Sequence, residues 1–155
     1  MTRKTAREIA VELCFAAAAN EIAADELLDA FFEPEHYETL AAENELFSEL
    51  PDEKQMAYIR TLTILSREKA AELDALIGRY AHGWKSERIS RTARAILRIA
   101  LAEILYMDEI PAAVAINEAV ELDKNYDEPE TVAFVNGVLG GFMRGEAAGA
   151  GPLES

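Results

Sequence analysis

The chain has 155 residues, half of them hydrophobic, which suits one compact domain or two small subdomains, and its formal net charge is −14. Its single cysteine, Cys14, excludes an internal disulfide and a cysteine-rich zinc site. Because no apolar run reaches the roughly 18 residues that a membrane helix needs, and because the amino terminus lacks an apolar signal core, we expect a cytoplasmic protein with no membrane segment.

The negative charge is concentrated in one segment. Residues 21–53 carry twelve acids and no Lys or Arg, whereas the rest of the chain carries 17 acids against 15 bases. Two basic islands remain: one consists of Arg3, Lys4 and Arg7, and the other is residues 84–98, which hold five cations and one acid. Because phosphate binding depends on local Lys and Arg, these islands keep nucleic-acid binding open for an acidic protein.

Helical periodicity runs through the chain and predicts an all-α protein of about seven helices. In the first helix, small and apolar residues recur from Ala6 to Ala17 at the spacing of one buried stripe. Arg3, Lys4 and Arg7 lie off that stripe, so we expect all three to project away from the core, beside the positive amino terminus.

Acidic helical segments follow at residues 24–32 and 35–47, and we expect them to form a solvated outer layer. The apolar pattern of residues 52–80 then predicts one long helix or two helices in tandem.

Gly83 marks the clearest internal break, because glycine readily adopts the left-handed conformation that ends a helix. We therefore expect an N-terminal unit at residues 1–82 and a C-terminal unit at residues 83–145. The small, polar tail at residues 146–155 is expected to be disordered.

The second half of the chain predicts three further helices. Ser90 is a candidate N-cap for a helix that ends near Tyr106, and Pro111 and Pro129 suit the first turns of the next two. Arg91, Arg94 and Arg98 share one face of the first of these helices. No carboxylate lies four residues from Arg94, so the expected counterpart is a partner's acids or phosphates, and the alternative is an ordinary solvated face.

Signals for enzyme chemistry are poor. His36 and His82 lie far apart and in no metal-ligand spacing, and no pair of carboxylates stands out for acid–base work. We expect no catalytic residue, metal or cofactor.

An RNA-binding composition occurs near residue 126. Tyr126 lies beside Lys124 and Asn125, and Phe134 follows the next turn; aromatics next to a cation and an amide are what single-stranded RNA sites use for stacking and edge contacts. The alternative is that Phe134 caps the core and Tyr126 closes a helix end.

Several sequence blocks together resemble the NusB family of bacterial transcription antitermination factors. They cover the first helix and the whole second half, whereas residues 21–53 match poorly. The blocks are RKTAREIAVELCF at residues 3–15, W-x3-RI at 84–89, RTARAILRIALAEIL at 91–105, IPAAVAINEAVELDKNY at 110–126 and FVNGVL at 134–139.

The resemblance implies an all-helical fold of two small bundles packed together, with no catalytic activity. It also implies binding of single-stranded boxA-type RNA of ribosomal RNA leaders together with the ribosomal protein NusE. The complex then joins the transcription elongation complex and suppresses termination. The residues that the resemblance places at RNA are Arg3, Lys4, Arg7, Glu130, Phe134 and Asn136, beside Lys124, Asn125 and Tyr126. Those that it places at the protein partner are Glu12, Phe15, Arg91, Ala93 and Arg94.

Two departures and three alternatives remain. Many relatives carry a denser arginine cluster at the start of the first helix, so three cations here suggest weaker RNA binding by this protein alone. Relatives often carry an acid where this chain has Ala93, which bears on the docking of NusE. The sequence leaves open whether the free protein is a monomer or a homodimer. A helical protein-interaction module that never touches RNA is a rival function; an RNA methyltransferase domain is a weaker one, because no cofactor-binding region accompanies it.

Overall fold

The structure, a computed structural model, describes residues 1–147, and within them it contains eight α-helices and no β-strand. The predicted all-α class is confirmed, with one helix more than the seven expected. The helices are α1 Arg3–Ala19, α2 Ala24–Phe31, α3 Pro34–Glu43, α4 Glu53–Glu68, α5 Ala70–Tyr80, α6 Arg91–Tyr106, α7 Ala112–Asp123 and α8 Pro129–Phe142.

The chain divides into two compact units, Met1–Glu68 and the part that begins at Lys69. The apolar pattern of residues 52–80 is therefore two helices in tandem, separated at Lys69. The expected boundary after residue 82 lies within the second unit, because α5 packs against α6 and α8.

In the first unit, α1 packs mainly against α4, and α2 also contacts both helices. The side chains of Ile9 and Leu13 from α1, Ile59 and Leu62 from α4, and Leu28 from α2 are completely buried. Burial of such a side chain stabilises a fold by about 1.5–3 kcal/mol, so this small core suffices to hold three short helices together.

The acidic segment combines a charged exterior with an aromatic interior. All twelve acids of residues 21–53 are exposed, as expected for a solvated layer. Beneath them, neighbouring rings of Phe31, Phe32, Tyr37 and Phe47 lie with centroids 5.0–6.2 Å apart, mostly edge to face. The Tyr37 hydroxyl donates to the Glu49 carbonyl oxygen at 2.8 Å, which closes the segment onto itself.

In the second unit, α6 packs against α5, α7 and α8. The Ser90 hydroxyl accepts a hydrogen bond from the Ala93 amide at 3.0 Å, so the predicted N-cap is present. Gly83 has a φ of +78°, the left-handed conformation expected of the break. Pro129 occupies the first turn of α8 as predicted, and Pro111 is the N-cap of α7, one position earlier than a first-turn residue.

The described chain ends in a π-helical turn, Met143–Ala147. The Glu146 carboxylate pairs with Arg79 and accepts a hydrogen bond from the Tyr80 hydroxyl at 3.0 Å. The tail expected to be disordered begins at Glu146; its first two residues belong to this turn, and residues 148–155 lie outside the described residues.

Candidate nucleic-acid interface

Two exposed cations occupy the first turn of α1. The helix begins there because the Thr2 hydroxyl accepts a hydrogen bond from the Thr5 amide at 3.1 Å. Arg3 and Lys4 are exposed, and the Arg3 guanidinium carbon lies 4.2 Å from the centroid of the Tyr58 ring. The ring orders the guanidinium without neutralising it, so this turn presents two positive charges to a phosphate.

Arg7 corrects the expectation that all three cations project away from the core. Only 4% of Arg7 is exposed. The buried face of α1 is wider than one stripe, because Val11, one turn after Arg7, is buried as well. Arg7 therefore belongs to the edge of the helix interface and offers little surface to a phosphate.

The amino terminus also differs from expectation, because its positive charge has an internal partner. The Met1 ammonium lies 3.1 Å from a Glu49 carboxylate oxygen, and the Gln55 side-chain amide donates to the Met1 carbonyl oxygen. Glu49 comes from the acidic segment, so one acid of that segment fixes the chain just before α1.

In the second unit, Lys124, Asn125 and Tyr126 follow one another at the end of α7, and all three are exposed. The Lys124 ammonium lies 2.7 Å from the Glu121 carboxylate, and both side chains are about half exposed. Because such a pair is weak, Lys124 can exchange Glu121 for another anion. Tyr126 is 42% exposed.

A groove of about 780 Å³ runs between α7 and α8. Its walls are mainly apolar, while Lys124 lies at one end and the amides of Asn117 and Asn136 line it. Asn117 and Asn136 are both exposed. The groove thus joins Lys124 and Asn136, two predicted RNA contacts from different helices.

Phe134 takes the core role that the sequence left open. It is 7% exposed, and its ring lies 4.4 Å from the Trp84 ring between centroids. Trp84 covers one face of Phe134, which removes the ring face that a base would stack on. Glu130, another predicted RNA contact, has a cation as its partner. One of its carboxylate oxygens lies 3.1 Å from a terminal nitrogen of Arg88.

The residues expected at a protein partner have mixed surroundings. Phe15 is 37% exposed, Glu12 is half-buried and Arg91 is exposed. Ala93 is completely buried, so its side chain cannot contact a partner. Ala93 is buried because it belongs to the stripe of α6 that faces the core.

Arg94 has an internal counterpart, contrary to the expectation of an external one. Its guanidinium lies 3.4 Å from the Asp74 carboxylate and also donates to Ser86. The same carboxylate accepts two hydrogen bonds from Arg98, at 2.8 and 2.7 Å. Asp74 lies on α5, a separate helix, which is why spacing along α6 did not reveal it.

A buried acid lies close to these residues. Asp123 is completely buried, and no group among the described residues donates a hydrogen bond to its carboxylate oxygens. Burial raises the pKa of the Asp123 carboxyl to about 8, and the neighbouring Asp127 carboxylate shifts that pKa in the same direction. Asp127 itself accepts from the Ser90 hydroxyl at 3.3 Å, so the acid pair lies beside the N-terminus of α6.

Sequence reasoning missed Asp74, Asp123 and the contact between Arg88 and Trp84. The sequence contains a signal for the last two. Asp123 continues the spacing of the buried residues Ala115 and Ala119 on α7, and Arg88 lies four residues after Trp84, close enough in the chain to contact it. Asp74 left none, because its partners are about 20 residues away in the chain.

Within residues 1–147 no three side chains of the metal-binding types come together, and no helix of that part is both long and apolar enough to cross a membrane. The fold and the basic first turn of α1 thus define a class, the small all-α proteins with a localised cationic surface.

Comparison with known proteins identifies the family. The model of the NusB family matches residues 4–144. The Transcription antitermination protein NusB of Alkaliphilus oremlandii is 35% identical over 94% of this chain and 96% of the relative, and that of Carboxydothermus hydrogenoformans is 39% identical over 90% and 91%. The chain belongs to the NusB family of antitermination factors.

A solved structure agrees with this assignment. T. maritima NusB matches with a TM-score of 0.68 and 26% identity, covering 95% of this chain and 94% of that one. The likeness therefore extends over both units, including the acidic segment that the sequence blocks left out.

Proposed function

We propose that this protein binds single-stranded boxA-type RNA together with the ribosomal protein NusE and, within the transcription elongation complex, supports transcription of ribosomal RNA in the cytoplasm. The observation that carries the proposal is the pair of exposed cations Arg3 and Lys4 on the first turn of α1. In this chain, which belongs to the NusB family and has a net charge of −14, Arg3 and Lys4 lie at a helix N-terminus, where the helix dipole disfavours cations and favours a bound anion such as a backbone phosphate.

The second unit supplies a further set of contacts for the same role. Lys124, Asn125 and Tyr126 are exposed together, which gives a cation, an amide and an aromatic ring within three residues. Asn136, across the groove from α7, adds a second amide. Such groups read the edges and faces of unstacked bases, so a single strand is the expected form of the RNA.

An exposed aromatic side chain supports the proposal of a protein partner. Phe15 is 37% exposed on α1, and Arg91 is exposed at the start of α6. Aromatic and arginine side chains are enriched in protein interfaces, and we expect Phe15→Ala to weaken binding of NusE without changing binding of RNA alone.

The test is a titration of labelled boxA-type RNA, followed by fluorescence anisotropy, with and without NusE. The variant Arg3→Ala/Lys4→Ala should weaken RNA binding about tenfold, because it removes two phosphate contacts. The control, Arg60→Ala/Arg79→Ala, removes two cations with side chains 39% and 58% exposed that are paired with Asp29 and Glu146, and it should bind as the unchanged protein does.

Equal RNA binding by the two double variants would contradict the proposal. Binding of NusE with no binding of RNA, alone or in the complex, would favour the rival role as a protein-interaction module. Sedimentation of the free protein over a concentration series would decide between a monomer and a homodimer.

A further inference from the structure

The basic island at residues 84–98 is divided by the fold into two parts. Arg94 and Arg98 share the Asp74 carboxylate, and their side chains are only 21% and 13% exposed. The other three cations, Lys85, Arg88 and Arg91, are exposed. The positive charge that can meet an external anion is therefore confined to the segment before α6 and its first residue.

Arg88 is the best organised of these three cations. Its guanidinium carbon lies 4.2 Å from the centroid of the Trp84 ring, and Trp84 in turn stacks on the buried Phe134. This column fixes the plane of the guanidinium on the core of the unit while 54% of the Arg88 side chain stays exposed. An arginine held in this way loses little conformational freedom when it binds a planar or tetrahedral oxyanion.

The present partner of Arg88 is easily replaced. Its terminal nitrogen lies 3.1 Å from a Glu130 carboxylate oxygen, and 71% of the Glu130 side chain is exposed. Exposed ion pairs of this kind contribute little to stability because water competes for both groups. A phosphate offers the same pair of acceptor oxygens, and a nucleic-acid strand adds the release of counterions.

We propose that Arg88 binds a phosphate of the RNA backbone, that Glu130 occupies this position in the free protein and leaves it on binding, and that the exposed Lys85 adds positive charge to the same segment. This inference rests on the proposed function, since it names a site for the same RNA. Glu130 then competes with the RNA instead of contacting it directly.

The test is the titration of labelled boxA-type RNA at several salt concentrations, with and without NusE. Arg88→Gln should weaken binding about fivefold and reduce the steepness of the log–log salt dependence by about 0.7, the value for one phosphate contact on a single strand. Arg88→Lys should lie between, since it keeps the charge and loses the planar stack. Glu130→Gln should tighten binding about twofold, because the competing carboxylate is gone.

The control is Arg60→Gln, an arginine whose side chain is 39% exposed and which is paired with the exposed Asp29 at 2.9 Å. It should bind RNA as the unchanged protein does. Trp84 is the only tryptophan, so its fluorescence reports on this site, and saturating RNA should change its emission.

Each failure has a distinct form. If the unchanged protein binds no RNA, the proposed function and this inference fall together. If it binds RNA but Arg88→Gln behaves as Arg60→Gln does, or Glu130→Gln weakens binding, or the emission of Trp84 stays constant, only this inference is wrong. A loss confined to NusE binding would make the site a protein contact and would overturn it too.

Discussion

Three basic side chains lie within five residues of one another at the start of α1, yet their surroundings differ. Lys4 is exposed, Arg3 is exposed and lies over the Tyr58 ring, and Arg7 is 4% exposed. A buried guanidinium contributes to packing through its methylene groups and must keep polar partners, whereas an exposed ammonium does neither. At the residue scale, therefore, Arg7 serves the fold, and Arg3 and Lys4 remain for binding.

We expect Arg7→Ala to lower the free energy of unfolding by about 2 kcal/mol or more, because packing and buried polar contacts are lost together. Lys4→Ala should change it by less than about 0.5 kcal/mol, because the side chain is exposed. Urea unfolding followed by circular dichroism measures both. A small effect for Arg7→Ala would show that its burial has no energetic weight.

Asp123 is the residue whose titration should be visible in stability. Its folded pKa is about 8, because of burial and then Asp127, whereas an unfolded Asp ionises near pH 4, about four units lower. Between these values the folded state holds a proton that the unfolded state has lost. The contribution of this group is full below about pH 4 and is lost as the pH rises toward 8.

We expect Asp123→Asn to be more stable than the unchanged protein at pH 8, by on the order of 2–3 kcal/mol. The asparagine amide is uncharged at every pH, whereas folding at pH 8 must either protonate the Asp123 carboxylate or bury its charge. The advantage should shrink as the pH falls toward 5. Thermal unfolding at pH 5, 6.5 and 8 measures it. A stability difference that does not vary with pH would argue against a raised pKa of Asp123.

At the scale of elements, α5 and α6 are joined by one carboxylate and two arginines. Asp74 on α5 lies 3.4 Å from Arg94 and accepts two hydrogen bonds from Arg98, which are one turn apart on α6. The arginines are mostly buried and the acid is 35% exposed. A two-bonded arginine–carboxylate pair is both stronger and more directional than a single contact, so it sets how the two helices meet.

We expect Asp74→Ala to destabilise the protein by about 2 kcal/mol, because two mostly buried guanidinium groups lose their shared carboxylate. Asp29→Ala removes the partner of Arg60 from an exposed pair and should cost less than about 0.5 kcal/mol. Chemical unfolding of both variants provides the comparison. Equal losses would show that the Asp74 contact adds no more than a surface pair.

At the scale of the whole molecule, charge is arranged by segment. The twelve acids of residues 21–53 are all exposed, and outside that segment acids and bases nearly balance. The acid-rich surface repels a polynucleotide over a distance of about 10 Å at 0.1 M salt, so RNA can approach only where cations are grouped. An RNA complex of this protein should therefore be weak by itself and strengthened by its protein partner.

We expect the logarithm of RNA affinity to fall with the logarithm of salt concentration with a slope of about −2 to −3, which corresponds to three or four phosphate contacts on a single strand. We expect NusE to raise the affinity, because the proposed complex contains both proteins. Anisotropy titrations between low and physiological salt give the slope. A slope beyond about −5 would require more exposed cations than the described residues group together.

The order of the elements follows from the sequence. The 3.6-residue periodicity predicts the helices, and Ser90, Gly83 and Pro129 mark their ends at or near the observed positions, because capping and left-handed glycine are local effects of neighbouring residues. The positions of the cluster at Lys124 and of the cations of the first turn along their helices are also readable, since they follow from residue spacing alone.

The partners of charged and aromatic side chains were decided by tertiary structure. Asp74 neutralises Arg94 across two helices, Trp84 covers Phe134, and a wider interface buries Arg7. Each of these depends on which elements meet, and pairing between residues far apart in the chain leaves no trace in spacing along a single helix. The sequence by itself determined the fold class and where cations occur; only packing decided which of those cations remain exposed to bind an external anion.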